Sequence, residues 1–311
     1  MSRLLTGLAV GLLSAAASGQ VAAADWGVPQ EPVFKPAYPV DMMPYEDSLD
    51  FEAGIRYFYG MGGQRATFGG GADYTADDAS HFIEFHGRIN DHSTNTYVVG
   101  NIGYAAVIDG TYETPLSGEL STDSGRIAYG GADFGYLPFK AESIGLGAFI
   151  GYQYLNESID MGRSEFYTPS GGLDSEQNLL EVHGLRLGVT AQADVNDQFD
   201  VRIDAAAIPY ASLSGIYGPF GASVDGINPG LGSAARISGH LYGGAAEAMV
   251  GFKATDNIKI RAGARGYYLT GPTETYYETR NADGSNGQGY VVEGDIELMR
   301  WGPFIELTGT F

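Results

Sequence analysis

The chain has no cysteine in 311 residues, which excludes disulfides, thiolate metal sites, a cysteine nucleophile and a lipidated cysteine at a processed N-terminus. Lysine is nearly missing, with 4 residues, and 17 basic residues face 38 acidic ones for a formal net charge of −21. Such a chain lacks the Lys/Arg surface that displaces counterions from a phosphate backbone, so a nucleic-acid partner is excluded. Beyond the first two dozen residues there is no run of ~20 apolar residues, so no transmembrane helix is available. What is abundant is glycine, with 47 residues, about twice the usual share of ~7%, together with 21 Tyr and 15 Phe.

Residues 1–24 read as a secretory signal peptide. Arg3 supplies the positive charge, Leu4 to Ala17 the apolar stretch, and Val21-Ala22-Ala23-Ala24 the small-residue cleavage site. Cleavage falls after Ala23 or after Ala24. Residues 25–47 form a leader in which Pro29, Pro32, Pro36, Pro39 and Pro44 forbid a continuous helix or a central strand. A Pro-stiffened segment of this kind is an extended spacer of ~3 Å per residue.

From residue 48 to 311 the dominant period is two. Leu49, Phe51, Ala53, Ile55, Tyr57 and Tyr59 share one parity, while Asp50, Glu52, Gly54 and Arg56 share the other, with Phe58 as the exception. The same alternation recurs at 80–89, 185–192, 199–207 and 258–265. Successive strand side chains point to opposite faces, so each segment has an apolar wall and a polar wall. Short connections at 90–94, 137–142, 194–198 and 254–257 alternate with long ones near 61–78, 109–124, 157–178, 213–235 and 271–289. This rhythm predicts an all-β, transmembrane, antiparallel up-and-down β-barrel with tight periplasmic turns and longer outer loops. The count gives ten strands, an even number that puts both ends of the barrel in the periplasm. The parity changes between Ile296/Leu298 and Ile305/Leu307. A bulge near 299–301 would explain this within ten strands, and an extra turn would make twelve.

A soluble β-sandwich or lipocalin-like barrel alternates in the same way, with its apolar set turned inward. The C-terminus, Trp301-Gly302-Pro303-Phe304-Ile305-Glu306-Leu307-Thr308-Gly309-Thr310-Phe311, separates the readings. It resembles the last strand of Gram-negative outer-membrane β-barrels, porin-like proteins that close on an aromatic residue. That resemblance implies an outer-membrane location, recognition of Phe311 by the barrel-assembly machinery, and surroundings of outer-membrane lipid and lipopolysaccharide. The lipid-facing wall would carry Phe51, Ile55, Ile83, Phe85, Leu187, Val201, Ile203, Ile258, Ile260, Ile305 and Leu307. Interfacial girdles would use Tyr57, Tyr59, Tyr152, Tyr154, Phe199, Tyr210, Phe252, Tyr267, Tyr268 and Phe311.

The enclosed wall would then be charged with both signs: Glu52, Arg56, Glu84, His86, Arg88, Asp133, Arg186, Arg202, Asp204, Glu247, Lys259, Arg261 and Arg265, continued by Glu293 and Asp295. Such a lining is either a paired network that fills a small lumen or the wall of a narrow diffusion pore. Barrels of about eight strands are filled by their side chains, and ten strands stand near that limit.

Catalytic signals are sparse. The histidines His81, His86, His92, His183 and His240 show no i, i+4 zinc spacing, and no metal or cofactor is expected. Outer-membrane barrel enzymes such as the omptin proteases use Asp–Asp and Asp–His pairs at the outer rim. Here Asp77-Asp78 with His81 is the only candidate, and it has no second pair opposite, so the protein is not expected to be an enzyme. The Ala24-Asp25 end resembles alphaproteobacterial barrels whose Ala-Asp N-terminus is joined to peptidoglycan by transpeptidases. That resemblance implies peptidoglycan as a partner and a structural role as an envelope anchor.

Overall fold

The computed structural model describes residues 48–68, 72–114, 118–122, 125–141, 143–159, 163–168, 170–217, 231–281 and 286–311. The expected signal segment, the expected leader and the Ala24-Asp25 pair lie outside the described residues. The described chain forms β1 (Leu49–Phe68), β2 (Ala72–Asp91), β3 (Thr96–Thr114), β4 (Gly118–Thr122), β5 (Gly125–Lys140), β6 (Ile144–Ile159), β7 (Arg163–Tyr167), β8 (Leu173–Gln177), β9 (Leu179–Asp194), β10 (Phe199–Ile216), β11 (Arg236–Thr255), β12 (Ile258–Arg280) and β13 (Asn286–Thr310).

Ten of these strands pair antiparallel in a ring: β1, β2, β3, β5, β6, β9, β10, β11, β12 and β13. β13 closes on β1 from Glu52↔Thr310 to Phe68↔Gly294. Phe311 completes the seam, because its N–H donates to the Phe51 carbonyl at 2.9 Å and its carbonyl accepts from Phe51 N–H at 3.2 Å. A closed ring satisfies every ladder group internally, the condition for crossing lipid with strands. β4 extends the free end of β3, and β7–β8 is a separate hairpin. The four short connections are turns, and ten is the strand number the sequence rhythm predicts.

Three of the five expected long loops, 61–78, 109–124 and 271–289, are largely strand, while the connections from Ile159 to Leu179 and from Ile216 to Arg236 stay long. β1 and β2 run to Phe68 and from Ala72, so 61–78 is almost entirely strand. β12 and β13 likewise pair from Tyr276↔Val291 out to Arg280↔Asn286. Ring strands reach 25 residues, whereas ~9–11 tilted residues cross a bilayer. The ring therefore projects well past any apolar belt at its long-loop end.

That projection also explains the parity change. β13 pairs with both neighbours in unbroken register through 299–301, with no bulge there. Even-numbered residues face inward along its length: Ile296, Leu298, Arg300, Phe304 and Glu306 are all buried. Odd-numbered residues face outward, as Met299, Trp301, Ile305 and Leu307 show by their exposure. The strand keeps its facing and changes its surroundings. Near the short turns the outside is apolar and the inside charged. Near the long loops the outside is polar and the inside apolar. Glu293 and Asp295, expected on the inner wall, consequently stand on the exposed outer face.

Genuine irregularities sit elsewhere. The β9–β10 register shifts between Ala207 and Tyr210, around Pro209, and the β5–β6 register between Tyr136 and Phe139, around Pro138. A proline has no N–H for the ladder, so it occupies a place where the ladder is already broken. The glycine excess has a spatial use as well. Tyr129 and Phe149 lie across their cross-strand partners Gly103 and Gly188. A Cβ at either glycine would overlap the ring.

Candidate functional site: the barrel interior

The inner wall is built in tiers. At the short-turn half, most ring strands turn charged side chains inward, between residues such as Tyr97, Phe149 and Thr190. Arg56 is central. Its guanidinium donates from Nε and Nη2 to Glu306 at 2.9 and 2.6 Å, and to Glu247 at 3.0 and 3.1 Å. It also lies 3.4 Å from Glu84. Arg265 Nη1 reaches Glu84 at 2.6 Å, and the Tyr129 hydroxyl donates to the same carboxylate at 2.7 Å. Arg261 meets Glu52 at 3.1 Å, Glu306 at 3.3 Å and Asp200 at 3.5 Å. Lys259 adds a contact to Glu52 at 3.6 Å. Arg186 pairs with Asp133 at 3.3 Å, and Arg202 with Asp204 at 3.4 Å. His86 Nε2 is 3.0 Å from Thr308 Oγ1. Arg88 differs: its Nε donates to Asn90 at 2.6 Å and its guanidinium stacks on Tyr97. The thirteen lumen residues named from parity thus all face the interior.

A second ionic layer lies above the first. Arg300, 1% exposed, is clamped by Asp78 at 2.8 and 2.9 Å and by Glu157 at 2.6 Å. Tyr267 donates to Glu157 as well. Tyr267 therefore belongs to the inside and not to the girdle where its place near a strand end had put it. Sequence reasoning missed Asp78, Glu157, Arg300 and Glu306 as lumen residues. Alternation carried back from Ile305 finds Glu306 and Arg300. Asp78 and Glu157 sat in segments read as loops, and nothing local to them marks a buried ion pair.

Above this layer the lumen is apolar. Phe68, Tyr74, Tyr112, Ile127, Ile159, Leu180, Ile208, Leu213, Tyr217, Ile237, Leu269 and Ile296 are buried in one continuous cluster. Phe68, Tyr74 and Tyr217 pack ring on ring. At the rim, β7 joins the segment after β10: Tyr167 N–H donates to Leu231 O at 2.8 Å, and Ala235 N–H to Ser164 Oγ at 3.1 Å.

Three cavities lie in the charged half, and a separate open groove of about 580 Å³ runs along Ser212, Ser238, Thr273 and Asp295 toward the long-loop end. One of about 220 Å³ opens at the short-turn end. Smaller ones of about 80 and 100 Å³ lie deeper.

On the outer surface, the upper edge of the apolar belt carries a recurring pair. The Tyr57 hydroxyl is 2.6 Å from His81 Nδ1, and the Tyr152 hydroxyl is 2.6 Å from His183 Nδ1. Tyr210 stacks edge-on against His240. These histidines are exterior interfacial groups. His92 lies at a short turn with Asp50 and Lys140. The rim trio of the omptin comparison does not assemble: Asp77 faces out, Asp78 is held inside by Arg300, and His81 is engaged by Tyr57 on the exterior.

No protein-family model matches the chain, and no curated protein matches it either. Solved structures do. The outer membrane protease OmpT from Escherichia coli superposes with a TM-score of 0.59 at 12% sequence identity, over 84% of this chain and 97% of that one. The outer membrane protein OprG from Pseudomonas aeruginosa gives 0.36 at 11% identity, over 85% and 95%. The beta domain of the Bordetella autotransporter BrkA gives 0.33 at 10% identity, over 85% and 99%. The closed ten-strand ring, its apolar exterior and its similarity to OmpT place the fold in the class of outer-membrane β-barrels.

Proposed function

We propose that the protein is a structural, closed β-barrel of the Gram-negative outer membrane, with no catalytic role, that ties this membrane to peptidoglycan through Ala24-Asp25. One observation carries the closed reading. The described lumen is occupied along its length, by cross-linked charges in one half and by a packed apolar tier in the other. An ion crossing the apolar tier would lose its hydration without replacement ligands, which costs several kcal/mol or more. Solute passage and turnover at a rim are both poorly served by such an interior. A structural barrel needs only rigidity and a lipid-facing wall.

The short turns would face the periplasm and the long-loop end the exterior. Surrounding lipid and lipopolysaccharide, and barrel-assembly machinery acting on the seam at Phe311, complete this reading. The tether rests on the Ala24-Asp25 resemblance and on the Pro-rich spacer that follows. Mass analysis of muropeptides released from digested envelopes tests it. N-terminal peptides beginning at Ala24 and carrying a cell-wall stem peptide are expected. Recovery of only free Asp25 ends would overturn the anchor.

A further inference from the structure

We propose that the cavity at the short-turn mouth is a binding site for a small oxyanion, a carboxylate or a phosphate, with Arg88 as its principal ligand. Arg88 is 6% exposed. It lines both the 220 Å³ mouth cavity and the 80 Å³ cavity behind it, so it stands at the neck between them. The other inner-wall cations each meet a carboxylate within ion-pair distance. Arg88 meets none among the described residues.

Its Nη2 is buried without an acceptor, whereas Arg202 Nε and Arg261 Nε lie 3.4 Å from Asp204 Oδ2 and 3.5 Å from Asp200 Oδ1. Both of these arginines line the same two cavities. A guanidinium offers donors only, and a buried donor without an acceptor costs about 1–3 kcal/mol. Such a donor, with two further guanidiniums on the same space, calls for acceptor oxygens, and the planar fork of arginine matches a carboxylate or phosphate edge.

The acids at the mouth are mostly already paired: Glu52 by Arg261 and Lys259, Asp200 by Arg261, and Asp50 by His92. Asp91 and Asp194 also line the mouth, at its solvent edge. Asp133 Oδ1 and Asp204 Oδ1, which lack donors, lie on the deeper cavity only. Among the described residues no buried acceptor without a donor lines the mouth, so the mouth is the side of Arg88 on which an added oxyanion meets none.

The test uses the barrel of the mature chain, refolded in nonionic detergent. Sodium malonate and sodium phosphate are titrated against sodium chloride at matched ionic strength, with thermal midpoint as the readout. A saturable rise with malonate, phosphate or both is expected, and the more effective salt names the chemistry. Arg88→Gln should weaken that response at least tenfold while keeping a heat-modifiable band on gels. In unaltered protein, the Arg88 guanidinium ¹⁵N resonance, assigned with Arg88→Lys, should move with the same half-saturation, which keeps the site testable if Arg88→Gln fails to fold. A response that never saturates, or an equal response in Arg88→Gln, would overturn the site. So would an Arg88 resonance indifferent to both salts.

Discussion

A single side chain can decide the balance where charge is buried. Among the described residues Arg300 is the only cation touching Asp78, and it also holds Glu157. Arg300→Ala would leave two enclosed carboxylates uncompensated, a change that typically costs about 3–5 kcal/mol. The urea midpoint of the refolded barrel should fall accordingly. The exposed pair Arg65–Asp73, at 3.3 Å, offers the contrast: Arg65→Ala should shift stability by no more than about 1 kcal/mol. Lipid contact makes its own demand on single residues. Ile203 is exposed between Phe199 and Tyr210 on β10. Ile203→Lys at this depth should cost about 2–4 kcal/mol in lipid, whereas the same substitution in a water-facing wall would be nearly neutral. A neutral result would mean that this face never meets acyl chains.

Strands explain what could be foreseen and what could not. Half of each long strand was legible, because in Leu49–Tyr59, Leu185–Ala191 or Ile258–Ala264 the greasy parity faces out and the ionic parity faces in. The same rule failed beyond the belt. At Ile296, Leu298, Glu293 and Asp295 the strand leaves the apolar surroundings, so water takes the outside and the apolar set moves within. A period of two does not record which side is wet. The polar, glycine-rich stretches at 61–78 and 271–289 looked like loops for that reason, and the ion pairs of Asp78 and Glu157 went unseen with them. The thirteen inner charges named from sequence lie inside the ring, but their partners come from strands far apart in the chain, as with Arg56 and Glu306, and spacing cannot show that. One prediction belongs to this scale. β7–β8 pairs with no ring strand, and β6 pairs with β9 from Ile144↔Ala193 to Asn156↔Glu181 without it. Replacing residues 160–178 with a short turn should therefore leave the gel shift between unboiled and boiled samples intact. Its disappearance would show that the hairpin holds the ring together.

At the scale of the molecule, the exterior and interior exchange character along one axis. An apolar belt surrounds charged layers at one end, and a polar surface surrounds an apolar core at the other. The charged layers fix the ring through cross-lumen contacts such as Arg56 to Glu247 and Arg300 to Glu157. The apolar tier adds burial at roughly 25 cal/mol per Å² and separates the cavities of the charged half from the long-loop end. Planar-bilayer recording on the refolded barrel examines this arrangement directly. The account predicts a baseline without discrete current steps across moderate voltages, in unaltered protein and in Arg88→Gln alike. Reproducible steps of uniform size from unaltered protein would mean that ions pass the apolar tier, and the closed, structural barrel would have to be abandoned.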